Sequence, residues 1–237
     1  MEIIPAVMPR NYEDLKNKIA MVRGLVPTVQ IDLMDRRFTN GITWPFSKNN
    51  DEEVFSSDPY FLEIIREENG LPFWEEIDFE LDLMVRDAIE NFDNYLKLGP
   101  KRIVFHLEAQ DPVHLREFIE GIDLYVRDNV SIGVAINTTT PISEITPLLF
   151  CIDFVQCMGI EHIGFQGEPF DERVIDNIKA LRKDHPELII SVDGGVNLDT
   201  APMLIEAGAN RLVIGSAIFG SIDIRETVRE FENNLKY

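Results

Sequence analysis

Strands that should be apolar carry acids here, and those acids set the chemical question. The stretch TVQIDLMDRRF (28–38) is a β-branched, apolar run that meets Asp32 and Asp35, followed by Arg36 and Arg37. Asp82 sits inside DFELDLMV (78–85), ahead of Met84 and Val85. Further apolar runs bring His106 with Glu108, Asn137, Met158 and Asp193 to their ends. A buried carboxylate is costly unless something pairs with it. Each residue has a local explanation: Asp32 bonds backbone or Arg36 or Arg37, Asp82 caps a helix, His106 is a satisfied core histidine, and the methionines fill space. The alternative is that these side chains converge as an acid–base or metal-binding group. Three acids at comparable depth on three strands favour the second reading.

A second chemistry lies in the glycines. GFQGEPF (164–170), DGGVN (193–197) and GSAIFGS (215–221) follow three successive apolar runs. Gly164, Gly167, Gly194, Gly195, Gly215 and Ser216 could merely form tight turns. Three such turns in a row point instead to backbone N–H groups and helix N-termini that cradle a phosphate. The formal charge of −20 sharpens the point. It argues against nucleic acid and anionic membrane as partners, so a small anion must be held by local donors against the overall field.

The elements that must position these groups alternate along the chain. Strands are expected at about 2–7, 28–34, 78–85, 102–107, 130–136, 152–158, 188–193 and 211–215. Between them run helical patterns such as Leu15–Ile19–Val22, Val174–Ile178–Leu181 and Ile224–Val228–Phe231–Leu235. Eight βα units in 237 residues with 45% hydrophobic content predict one (β/α)8 barrel spanning 1–237, with a doubly wound sheet as the alternative. The sites then gather at the C-terminal ends of the strands. One irregularity is an extended loop at about 36–60. Its polar stretch 39–58 holds an apolar knot, Trp44, Pro45 and Phe46, that should cover the mouth or a subunit contact. Cys151 and Cys157 read as reduced core residues. No basic leader or ~20-residue apolar span is present, which makes the cytoplasm the default expectation.

At this point the residues carry a resemblance. IDLMD (31–35), LDLMV (81–85), FHLEA (105–109), AINTTTP (135–141), SVDGGVNLDTAPMLIEAGAN (191–210) and VIGSAIF (213–219) resemble, in order, the ribulose-phosphate 3-epimerase family. The resemblance implies a phosphate-binding TIM barrel of carbohydrate metabolism acting on a small-molecule sugar phosphate, as in the pentose phosphate interconversions, and a homo-oligomer. The family's acid–base pair falls on Asp32 and Asp193, its phosphate loops on the three glycine clusters, and its site methionines on Met34, Met84 and Met158, with His106 in the substrate-binding set. The implied reaction interconverts C3 epimers such as ribulose 5-phosphate and xylulose 5-phosphate. One carboxylate removes the C3 proton beside the C2 ketone, and the opposite acid returns a proton to the other face of the enediolate.

Departures from the family pattern concern the metal. Two histidines that join the aspartates around a divalent ion are replaced by Gln30 and Asp82. Ala6 and Pro9 stand where small hydroxyl residues are usual, Gln166 replaces a loop glycine and Arg36 the glycine after IDLMD. The implied ligand set is Gln30, Asp32, Asp82 and Asp193, all oxygen if the Gln30 amide turns its carbonyl inward. Such a set favours Mg²⁺ or Mn²⁺ over Zn²⁺, or an empty site. The competing reading is a non-catalytic sugar-phosphate-binding barrel. A decarboxylase is disfavoured, because Met34 stands where the lysine of an Asp-x-Lys-x-x-Asp pattern would be.

Overall fold

Side chains of a strand alternate between two faces, and that period of two explains how apolar strands can carry acids. In β2 (Thr28–Met34), Val29, Ile31 and Leu33 point outward into the main core, while Thr28, Gln30, Asp32 and Met34 point inward. The same parity sends Phe79, Leu81 and Leu83 of β3 (Asp78–Met84) outward and leaves Glu80 and Asp82 inside. Eight strands therefore show helices an apolar outside and one another a partly polar inside. The computed structural model describes residues 1–47, 56–165 and 167–234.

With β1 (Glu2–Val7), β4 (Arg102–His106), β5 (Ser131–Ile136), β6 (Phe154–Met158), β7 (Ile189–Asp193) and β8 (Arg211–Ile214), these strands pair in parallel, each with the next, and β8 closes on β1. The doubly wound alternative is excluded by that closure. The strands stop slightly short of the expected ends. Val85 lies past β3, Leu107 opens a 3₁₀ turn (Leu107–Ala109), and Gly215 caps the helix that follows β8. Helices α1 (Tyr12–Val22), α2 (Pro59–Ile65), α3 (Phe92–Leu96), α4 (Pro112–Glu120), α5 (Leu124–Asn129), α6 (Ile142–Ile145), α7 (Arg173–Asp184), α8 (Ala201–Ala207), α9 (Ser216–Phe219) and α10 (Ile224–Asn234) fill the connections. Leu15, Ile19 and Val22 of α1 and Val174, Ile178 and Leu181 of α7 are the buried faces that the spacing predicted. Leu235 lies outside the described residues. Among the described residues, no helix is long and apolar enough to cross a membrane.

The barrel interior is layered. At the N-terminal end Arg102 donates to Glu2 at 2.6 and 2.9 Å and to Thr28 at 3.0 Å, and Arg211 lies 3.3 Å from Glu2. Above this ion network lies a middle layer of Gln30, Glu80, Gln156 and Ser191, none of them reached by solvent. The top layer holds Asp32, Asp82, His106, Met158 and Asp193.

The long β2–α2 connection does two jobs. It turns back at once: Asp35 bridges Ile42, and the Thr43 hydroxyl donates to the Asp32 carbonyl at 2.6 Å and accepts from the Met34 N–H. Within this turn Thr39 reaches across to the β6–α7 loop, where a Cβ on Gly164 would stand 2.7 Å from the Thr39 Cβ. Phe38 lies over His106 with ring centroids 5.4 Å apart. Residues 38–41 thus roof the mouth. The Trp44 knot does something else. Trp44 is 1% exposed, packs between Tyr12 and Phe61, and donates through Nε1 to Asp58 at 2.9 Å, sealing the flank beside α1. Residues 48–55, part of the loop singled out in the sequence, lie outside those described.

Candidate active site

Inward parity carries Asp32 and Asp82, register partners on β2 and β3, to the same height, and β7 ends on Asp193 across the mouth. One oxygen from each of the three carboxylates lies within 4.8 Å of the other two. Gln30, one turn of the pleat below Asp32, aims its amide nitrogen between two of them. It donates to Asp32 Oδ1 at 2.8 Å and to Asp193 Oδ2 at 2.9 Å. The expected inward carbonyl is therefore reversed here: two carboxylates attract the NH₂ end, and Gln30 Oε1 is left buried without a partner. Asp82 is held from two other sides. His106 Nε2 lies 2.7 Å from its Oδ1, and the Gln156 amide donates to its Oδ2 at 3.1 Å.

The electrostatics follow from burial and crowding. Desolvation, then the charges of Asp193 and Asp82, push the Asp32 carboxyl well above the usual carboxylate range. Desolvation and Asp82 raise Asp193 to about 7, against the Gln30 hydrogen bond and the nearby His106. Burial disfavours the His106 cation, but the adjacent Asp82 outweighs it and raises the imidazole above its ordinary value. Neighbouring acids in this cluster cannot all ionise cheaply, so protons are shared among them near neutral pH. A carboxylate trio with no thiolate is also the donor chemistry of a hard divalent cation.

Above the acids a single cavity joins both chemistries read from the sequence. Asp32 and Asp193 line it together with Met84, Met158, Gly164, Gly167, Gly194, Gly195, Gly215 and Ser216. Gly194 and Gly195 have φ of +98° and +66°, and a Cβ on Gly195 would sit 3.0 Å from the Phe170 backbone, so this loop needs glycine twice over. In α9 the helical bonds begin at Ile218, whose N–H donates to the Gly215 carbonyl. The N–H groups of Ser216 and Ala217 thus have no acceptor within the helix. Gln166 falls outside the described residues.

Other candidates take different places. Met34 does not line the cavity; its thioether packs under Gly41 in the roof. His106, fully buried beneath Phe38, reaches the site only through Asp82. Asp35 is a rim ion-pair partner, accepting from Arg37 Nε at 2.9 Å and from the Arg86 N–H at 3.1 Å. Glu108 accepts from the Asn137 N–H at 2.7 Å and from Thr140, tying the β4 and β5 ends together outside the cavity. Gln156, Phe38 and Thr39 were not singled out in the sequence. The spacing of Gln156 two residues before Met158 placed it on the inward face, whereas nothing local marked the loop residues.

Comparison with known proteins agrees with this geometry. Residues 2–219 match the model of the ribulose-phosphate 3 epimerase family. The chain is 30% identical to ribulose-phosphate 3-epimerase of Bacillus subtilis (strain 168), with 99% of both chains aligned. It is 29% identical to the chloroplastic ribulose-5-phosphate-3-epimerase of Arabidopsis thaliana, over 96% of this chain and 74% of that one. Among solved structures, KGPDC from Streptococcus mutans in complex with D-R5P superposes with a TM-score of 0.70 at 14% identity, covering 99% and 97% of the two chains. A 3-hexulose-6-phosphate synthase gives 0.66 at 17% identity, over 99% of both chains. These two establish the barrel alone. The match across nearly the whole length means that the chain belongs to the ribulose-phosphate 3-epimerase family.

Proposed function

We propose that the protein is a ketose-phosphate 3-epimerase, an isomerase that inverts C3 of a substrate such as ribulose 5-phosphate through an enediolate. The observation that carries this reading is the placement of Asp32 and Asp193 on one cavity that the glycine turns also line. The phosphate sits among the backbone N–H groups of the loops at Gly167, Gly195 and Ser216, which need no lysine. That anchors the ketose with C3 between the two acids and Met84 and Met158 as apolar walls. Whichever aspartate is ionised removes the C3 proton, and the protonated one supplies a proton to the other face; the roles exchange in the reverse direction. The shared proton of the cluster keeps one acid in each state near neutrality.

Asp32, Asp82 and Asp193 would hold a divalent cation, with Mg²⁺ or Mn²⁺ preferred to Zn²⁺ by their oxygen donors. Such an ion supplies Lewis-acid stabilisation of the negative charge that develops on the substrate oxygens. The cavity as it stands has only about 60 Å³ of free volume, well below the ~300 Å³ at which small-molecule pockets begin. A sugar phosphate therefore needs this cavity to widen before it can enter.

The test is deuterium exchange at C3 of ribulose 5-phosphate in heavy water, followed by NMR. Wild-type protein should exchange C3 and form the epimer, whereas Asp32→Asn and Asp193→Asn should each abolish epimer formation, and the one that removes the base facing the C3 proton should abolish exchange as well. Phosphate-ligand binding without exchange by the wild type, under every divalent cation, would establish the non-catalytic binder instead.

A further inference from the structure

The middle layer of the barrel holds an unbalanced set of groups. Gln30 Oε1 and both carboxylate oxygens of Glu80 are buried without a hydrogen-bond partner. The two residues are register partners on adjacent strands, both point inward, and neither is reached by solvent. Neighbouring strands run ~4.8 Å apart, so their side chains are adjacent. Arg102 approaches Glu80 no closer than 3.4 Å, too far to satisfy it well. Burial raises the Glu80 carboxyl to about 7, and in its ionised form all the unpaired atoms between Gln30 and Glu80 are acceptors, because the Gln30 donors are spent on the aspartates above.

A cation among Asp32, Asp82 and Asp193 changes which end of Gln30 is wanted there. The ion cancels the negative charge that draws the NH₂ group up, and an amide N–H facing a dication is repelled. Only the carbonyl oxygen can then face the site. Turning the amide over puts its two N–H donors into the middle layer, where an isolated apolar neighbour would strand them. Ionised Glu80 instead offers acceptors that no hydrogen bond occupies, one of them only loosely paired with Arg102. Resting on the three-aspartate cation site proposed above, we infer that Glu80 is a positioning residue for the metal: it accepts the hydrogen bonds of the turned Gln30 amide and so holds that carbonyl toward the ion. One turn of a side chain then relieves the orphaned oxygens of both residues.

Mn²⁺ binding to the full chain, measured by electron paramagnetic resonance, tests this independently of turnover. Glu80→Gln keeps shape but replaces one acceptor by a donor, and it should weaken Mn²⁺ about tenfold, at the lower end of what outer-shell partners contribute. Gln30→Glu needs no turning, so adding Glu80→Gln to that variant should cause no further weakening. A purely structural role for Glu80 predicts equal weakening in both backgrounds, and that result overturns the inference, as does unchanged affinity in the single variant. If Glu80→Gln does not fold, the wild type still decides. Its Gln30 side-chain amide protons should gain nuclear Overhauser contacts to the Glu80 methylenes when Mg²⁺ is added, and unmoved contacts would refute the turn. Absence of Mn²⁺ binding by the wild type removes the cation site and this inference together, while the two-aspartate reading stands or falls on C3 exchange.

Discussion

Asp193→Asn should stabilise the metal-free protein at alkaline pH while ending its activity. Asp193 is raised to about 7 in the fold, from an ordinary value of 3.8, chiefly by burial and by Asp82. A carboxyl whose pKa is raised on folding prefers its protonated form there. Its contribution is intact below the unfolded value near 4 and is progressively lost as pH rises through about 7. A shift of ~3 units corresponds to roughly 4 kcal/mol of penalty at pH 8 and less than about 1 kcal/mol at pH 4. Asparagine carries no charge to desolvate, and its carbonyl can still accept from the Gln30 amide that now reaches Asp193 Oδ2 at 2.9 Å. Urea denaturation with chelator present should therefore show the variant more stable than wild type by several kcal/mol at pH 8, with the two converging toward pH 4. A saturating divalent cation at pH 8 should stabilise wild type more than the variant, since the ion pairs with the charge the variant lacks. A variant less stable than wild type by the same amount at both pH values would refute the account of a crowded, strained acid cluster.

Three further outcomes follow from the same structure. Gly195→Leu combines a φ of +66° with a contact to Phe170, so inorganic phosphate affinity measured by calorimetry should fall at least about tenfold in a folded variant. Trp44→Ala removes a side chain 1% exposed between Tyr12 and Phe61 and should cost about 3–5 kcal/mol in urea denaturation, as a core truncation rather than a loop change. Exhaustive chelation should abolish C3 exchange, with Mg²⁺ or Mn²⁺ restoring it better than Zn²⁺; full activity after chelation would leave only the two-aspartate chemistry.

The barrel was legible because its information is local. Val29, Ile31 and Leu33 alternating with Gln30 and Asp32 fix both the strand and the face that each side chain takes. The acid pair and the glycine turns were legible for the same reason, each lying at the end of a strand whose place in the barrel follows from chain order. The roof was not. Thr39 meets Gly164 across 124 intervening positions in a loop with no period, and only the folded chain brings them together. The direction of Gln30 was not legible either, since a sequence names an amide without saying which end faces a neighbour. The two carboxylates beside it decide, and their protonation and charge are properties of the assembled cluster.

That cluster also bears on how a chain of formal charge −20 could take the proposed anionic substrate. Backbone donors at Gly195 and Ser216 would provide attraction over a few ångströms, but ionised Asp32 and Asp193 on the same small cavity, with Asp82 beside them, would oppose a phosphate dianion. Raised carboxyl pKa values remove part of that repulsion by keeping protons on Asp32 and Asp193, and a cation would remove more. For the proposed epimerase, the conditions that let the site bind a sugar phosphate would thus be the ones that place a proton on one side of C3 and a base on the other. In that proposal, crowding the acids serves binding and chemistry together, at the expense of stability.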